Sequence, residues 1–478
     1  MAKLITNLLK TRNTDFIIQR SQHLFSLAGL KRSFLFYNLC GIIIFSAFLL
    51  TSCSGSKEEQ KCGIPGYLID SLNPTPGYVL IAPAQDTLTY LIDKKGDVQH
   101  CWTSNYTPGL SVHLLENGNL LRTETLKPEQ CCEGGGRVAM YDWDSELLWG
   151  YNIKNDSLQQ SHDAYPMPNG NVLVVVWELI PKQEVIDAGR TNCPSKIYSG
   201  MLIELQQSGD TAINVWQWRF WDHLVSDQDS VAANPQLLNV NYIGSPLFGE
   251  KDWIHMNAVS YNAALDQIMI SSRNLNEIYI IDHSTTTAEA ASHSGGIYGK
   301  GGDFLYRWGN PAAYNLGDAS QQQFFGQHSP YWLNTSDVDS SKIMINNDGF
   351  RGIYNSSCPT ASDTIPTTFN IVNMPYNPDS LSYGMEPNKV CEPSKPSWTG
   401  ISPPPKNTYS SYIEGSVQLL SNGNILACAS VPGTLYEMDT TTSQVVWQYQ
   451  VNGGSFRCHQ FDTAYIEKIV KEQSLRSE

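Results

Sequence analysis

The chain has 478 residues, with 46 Asp and Glu against 31 Lys and Arg, a formal net charge of −15. That balance argues against nucleic-acid binding, and an apolar fraction of 41% excludes a largely disordered chain. With 36 Gly and 25 Pro against a charged fraction of 16%, the composition favours many turns and few solvated helices, and 24 Tyr with 12 Trp suit half-buried strands.

Residues 1–52 read as a targeting segment. Lys3, Lys10, Arg12, Arg20, Lys31 and Arg32 precede an apolar run from Phe34 to Leu50, the pattern of a secretory signal. Tyr37 and Asn38 interrupt the run, which weakens the reading as a retained membrane helix. Leu50-Thr51-Ser52-Cys53 is similar to the lipobox of bacterial lipoproteins. Cys53 is therefore expected to carry the lipid, begin the mature chain and anchor it to the outer membrane, on the periplasmic or the cell-surface side. An ordinary cleaved signal with Cys53 incidental is the alternative. Losing the leader would take the formal charge from −15 to about −20. The cysteines from Cys62 to Cys458 would then sit where disulfides form, with no CxxC pair and no connectivity to be read.

A polar linker (53–76) leads into a repeating unit. One half is an apolar strand, a turn and a second strand ending in Trp: 90–102, 139–151, 203–218, 279–309 and 436–449. The other half enters an Asn-Gly turn: 114–123, 166–177 and 419–430. Asn-Gly between apolar runs is a hairpin signal, because both residues adopt positive φ at little cost. Units of about forty residues with four strands and a late Trp predict propeller blades. A sixth blade is expected over 369–398, with Trp398 as its late tryptophan, interrupted by a Pro-rich insertion. The predicted fold is all-β, a six-bladed β-propeller over 77–465 with a C-terminal tail at 466–478; five or seven blades stay open.

Aligned on their turns, the units share a position about seven residues upstream: Leu110, His162, His255, His328 and Gly415. Three of these five are histidine, in a chain with ten. The first strand of each blade lines the channel, so the alignment predicts imidazoles around the axis. His255, His328 and Arg351 are the expected catalytic residues, and His162, Asn257, Arg273 and Asn347 the expected substrate-binding ones. A guanidinium fork fits a tetrahedral oxyanion, and Asp163 could orient the His162 ring. Against these stand a surface Arg351–Asp348 pair, Arg273 as a loop brace, and a metal held by three imidazoles. His100, His113, His223, His283 and His293 fall in turns, outer strands or loops and read as structural. No G-x-S-x-G, Walker or Rossmann signature is present.

The runs PGYVLIAP, YDWDSELLW, HDAYPMPNGN, DWIHMNAVSYNAALDQIMISSRN, YRWGNPAAY, QHSPYW and NNDGFRG together resemble the bacterial arylsulfate sulfotransferases over about residues 77–460. The resemblance implies transfer of a sulfuryl group from a phenolic sulfate ester to a phenol, without a nucleotide donor, metal or other cofactor. It implies that His255, His328 and Arg351 act on the sulfuryl group. Well-understood members use a further histidine in the last blade as nucleophile, but the matching segment here, 427–439, contains none. A non-catalytic surface propeller that binds a glycan or sulfated ligand is the competing expectation.

Overall fold

A computed structural model describes residues 62–127, 134–245, 251–335, 341–350 and 365–476. The expected Cys53 anchor, the signal segment and Arg351 lie outside the described residues.

Six antiparallel sheets follow one another along the chain, and each is a blade. Blade two runs through Pro108–Leu114, Leu120–Thr125, Gly136–Tyr141 and Leu147–Asn152. Blade three runs through Leu158–Pro166, Val172–Ile180, Ile197–Ser208 and Thr211–Arg219. Blade four comprises Met256–Asn262, Gln267–Ser272, Glu277–Asp282 and Tyr306–Trp308. Blade five comprises His328–Trp332, Lys342–Asn347, Thr368–Asn373 and Trp398–Ile401. The unit read as a sixth blade from the sequence is therefore a full sheet. Blade six holds Ser416–Leu419, Ile425–Ala429, Thr434–Met438 and Val445–Val451.

Blade one is shared between the two ends of the described chain. Its outer strands are Tyr78–Pro83, Leu88–Asp93 and Val98–Thr103, and its inner strand is Ser455–Phe461. Pairing of Tyr78 with Phe461 and Ile81 with Cys458 closes the ring, which leaves no open edge between first and last blades. The Trp that closes five of the six units packs between blades: Trp102, Trp149, Trp218, Trp308 and Trp447 are buried, and Trp398 of blade five is half-buried.

Two boundaries need correction. The stretch 53–76 is not all linker: Gly66–Ser71 forms a fifth, outermost strand on blade six, pairing antiparallel with Val445–Val451. A Cys62–Cys101 disulfide ties the same stretch to blade one. The tail is part of a helix, Thr463–Arg476, which buries Ile466 and Ile469 against blades one and two and receives help from a Gln473 amide donating to the Asn117 carbonyl at 2.7 Å. Among the described residues no helix is long and apolar enough to cross a membrane.

Candidate active site

The inner strands share a local irregularity that positions the site. Leu110, His162, His255, Ser329 and Glu414 all have positive φ, between 47° and 89°. Each sits beside a register shift or at the start of its strand. A non-glycine residue in this region is held there against a cost of order 1–2 kcal/mol. The bulge turns the side chain from the sheet toward the axis. The turn-based alignment thus found the right bend, displaced by one residue at His328 and Gly415.

Three histidines converge there, and all are at most 1% exposed. The rings of His162 and His255 lie 4.7 Å apart, nearly edge to face. Phe456, from the closing strand of the opposite blade, contacts both His162 and His328, at 6.0 Å in each case. Trp177 backs the first pair, 5.7 Å from His162 and 6.1 Å from His255.

Each imidazole is fixed through Nδ1. His255 Nδ1 lies 2.5 Å from Asp252 Oδ2, and His328 Nδ1 lies 2.8 Å from Asp348 Oδ2 and 3.0 Å from the Gly326 carbonyl. A carbonyl only accepts, so His328 carries its proton on Nδ1 and, as a neutral ring, its lone pair on Nε2. Burial holds this ring well below the ordinary histidine pKa, aided by the nearby charges of Arg273, His162 and His255. Burial likewise pushes Asp348 well above the usual carboxylate range, with Glu414 adding to the rise and Arg273 opposing it. His328 is therefore a neutral, oriented imidazole, competent as a base or nucleophile.

His162 is oriented differently from expectation. Its Nδ1 faces the Ser161 hydroxyl at 2.6 Å, while Asp163 points away. Asp163 accepts from Ser111 Oγ of blade two at 2.7 Å, from the Val259 amide of blade four at 3.1 Å and from Arg457 Nη1 of blade one at 3.1 Å. One carboxylate on blade three thus joins four blades at the axis. Burial opposes its charge, yet Arg457, His113 and Ser111 hold its pKa well below the carboxylate range.

The other expected residues serve mainly as braces. Asn257 donates to the Gln327 carbonyl at 2.7 Å and so links blade four to blade five. Asn347 accepts from the Phe325 amide at 2.8 Å and donates to the Gln323 carbonyl at 3.0 Å, which commits its amide to a loop. Buried Arg273 donates to Asn274 Oδ1 at 3.1 Å and stacks over Phe350 at 5.1 Å, yet its charge reaches His328 and Asp348. Sequence reasoning missed Asp252, Phe456 and Arg457, and offered Asp348 only as a surface partner of Arg351. Asp252 had a local signal, three residues before His255.

A cavity of about 280 Å³ occupies the channel toward the ends of the inner strands, lined by His113, Tyr165, Tyr331, Gln418, His459 and Phe461, among others. Asp163 and Arg457 form part of its wall, and the three clustered histidines do not. His459 belongs to this cavity and not to the cluster.

The arylsulfotransferase (ASST) family matches residues 67–464, most of the chain. The chain belongs to that family. Membership makes it a sulfotransferase-type enzyme in the broad sense, with aryl sulfates and phenols as the substrate class. No curated protein matches the chain. Among solved structures, a Bacteroides caccae protein of unknown function is 11% identical, covers 81% of this chain and 99% of its own, and has a TM-score of 0.43. A putative 6-phosphogluconolactonase from Bacteroides fragilis is 9% identical, covering 82% and 100%, at 0.40. The β-propeller domain of Cps50 (Swd1) from Myceliophteria thermophila is 10% identical, covering 80% and 89%, at 0.39. These likenesses are too loose to bear on activity.

Proposed function

We propose that this ASST-family chain moves a sulfuryl group from a phenolic sulfate to a phenol, with His328 as carrier and His255 as proton shuttle. The observation that supports this most is the pair of imidazoles on adjacent blades, each fixed through Nδ1, His255 by the Asp252 carboxylate and His328 by the Gly326 carbonyl with Asp348 close by. In the first step the donor S–O bond breaks as a bond forms between sulfur and His328 Nε2, and the departing phenolate takes a proton from His255. In the second, the acceptor phenol gives its proton to His255 and attacks sulfur, releasing the imidazole. Such a loose transition state is catalysed by positioning and charge. Arg273, with Arg351 beyond the described residues, would supply the positive charge. The lipobox-like Leu50–Cys53 run supports export and lipid anchoring at Cys53.

The test is phenol release from an aryl sulfate with and without an acceptor phenol. Sustained release only with acceptor, beyond the single equivalent freed when His328 is loaded, supports transfer, and loss of that release in His328→Ala supports the carrier role. Equal release in buffer would mean hydrolysis. A second reading, binding of a sulfated ligand without turnover, is favoured by one observation: blade six presents Glu414, bonded to Ser430 at 2.6 Å, where blades three and four present histidine. Saturable aryl-sulfate binding with no turnover would favour it.

A further inference from the structure

Two histidines that the sequence offers only as loop residues meet away from the channel, at the outer edges of blades three and four. His223 follows the single helical turn Phe220–Asp222 that ends blade three. His293 and Asp303 lie in the excursion between the third strand of blade four, Glu277–Asp282, and its outer strand, Tyr306–Trp308. His223 Nδ1 and His293 Nδ1 both lie 2.8 Å from the same oxygen, Asp303 Oδ1. One donor atom from each of the three residues falls within 4.8 Å of the others.

Hydrogen bonding fixes what those atoms can be. His223 Nε2 faces the Ala290 carbonyl at 2.9 Å. A carbonyl only accepts, so Nε2 carries hydrogen, and in a neutral ring the Nδ1 lone pair faces the Asp303 carboxylate. Two lone pairs at 2.8 Å require a proton or a cation between them. With protons alone, buried His223, stacked on Trp218 at 5.5 Å, would have to donate through both nitrogens, to Ala290 and to Asp303, while His293 donates its Nδ1–H to the same oxygen. A divalent cation satisfies all three groups at once. A ligating imidazole whose other N–H is held by a backbone carbonyl is the usual arrangement around protein-bound metals.

We propose that His223, His293 and Asp303 bind a zinc-class divalent cation that clamps blade three to blade four. Two imidazoles and a carboxylate suit zinc, with solvent in the fourth position. The His293 side chain is 62% exposed, against 0% for His223 and 8% for Asp303, so the site has one open side. Zinc bonds of about 2.0–2.2 Å put neighbouring ligand atoms about 3.3 Å apart, so the Asp303 oxygen would draw back from both rings by roughly half an ångström. Neighbouring residues already fit the clamp: Trp218 Nε1 donates to the Gly302 carbonyl at 2.8 Å, and a side chain at Gly302 would collide with the His223 ring and the Ala290 carbonyl. The role is structural and separate from sulfuryl transfer.

The test uses the full chain, stripped with chelator and titrated with zinc chloride by calorimetry and with cobalt(II) by visible absorption. One saturable equivalent is expected, with a cobalt spectrum of low coordination number and a rise of a few degrees in thermal midpoint. His293→Ala, which removes an exposed side chain, should abolish binding and the rise while leaving acceptor-dependent phenol release intact. Asp303→Asn should weaken both. No saturable binding, or equal binding by the His293→Ala protein, overturns the proposal whatever the outcome for transferase activity.

Discussion

Arg457 and Asp163 meet at the propeller axis at 3.1 Å, although 294 residues separate them in the chain. The pair joins the closing strand to blade three, and the same carboxylate holds blades two and four. Asp163 is 1% exposed and the Arg457 side chain 15%. Breaking a buried pair by removing one partner leaves an uncompensated charge, at a cost of about 3–5 kcal/mol. Asp163→Asn should therefore lower the urea midpoint substantially. Because the folded carboxyl titrates well below its ordinary range, its contribution is present above about pH 3.9 and is lost as pH falls further. The variant should show a shallower acid limb, and an unchanged one would contradict the assigned role.

His283 should impose the opposite trend. Its Nδ1 lies 2.6 Å from Asp266 on blade four and its Nε2 lies 2.9 Å from Glu204 on blade three. Burial alone would lower its pKa, but the bonds to Asp266 and Glu204 prevail and raise it to about 9. The stabilisation is complete below about pH 6.5 and is lost as pH rises through the folded value. Stability measured from pH 6.5 to 9.5 should decline, and His283→Phe should remove that decline. A decline of equal size in the variant would assign it elsewhere.

His328 is buried and held neutral, so protonation favours the unfolded chain. Stability should fall as pH drops below about 6.5, the ordinary histidine value, and His328→Gln should lose part of that fall. Parallel stability curves for the two proteins would show that the imidazole titrates normally.

Asp252→Asn should leave the His255 ring in place but remove the carboxylate that fixes its tautomer. The expected effect is a fall of about 10²-fold or more in kcat with little change in KM. A change confined to KM, or lost thermal stability with normal kcat, would make Asp252 a packing residue only.

Much of this architecture was legible because it is local. Asn-Gly turns and the late Trp repeat mark hairpins by φ preference and burial, and they located five blades and the strands around Trp398. The shared bend was legible at His162 and His255 through their equal distance from the turn, and to within one residue at Ser329. The closing pair Asp163–Arg457 and the strand Gly66–Ser71 on blade six were not, since they join segments hundreds of residues apart that carry no common period. His223 and His293 gave no signal either, because their spacing to Asp303 becomes a cluster only when two blades meet. The direction of Asp163 was misread for the same reason: its partners come from three other blades, while its neighbour His162 is turned by the bulge.

In the proposed reaction a neutral imidazole at the hub, His328, carries the sulfuryl group. The most direct test is rapid quenching of the protein with an aryl sulfate, without acceptor, followed by mass spectrometry of the digest. The account predicts one sulfuryl adduct, on the peptide holding His328, which disappears when a phenol is added before the quench. An adduct on another residue, or none in a protein that still turns over with acceptor, would contradict it.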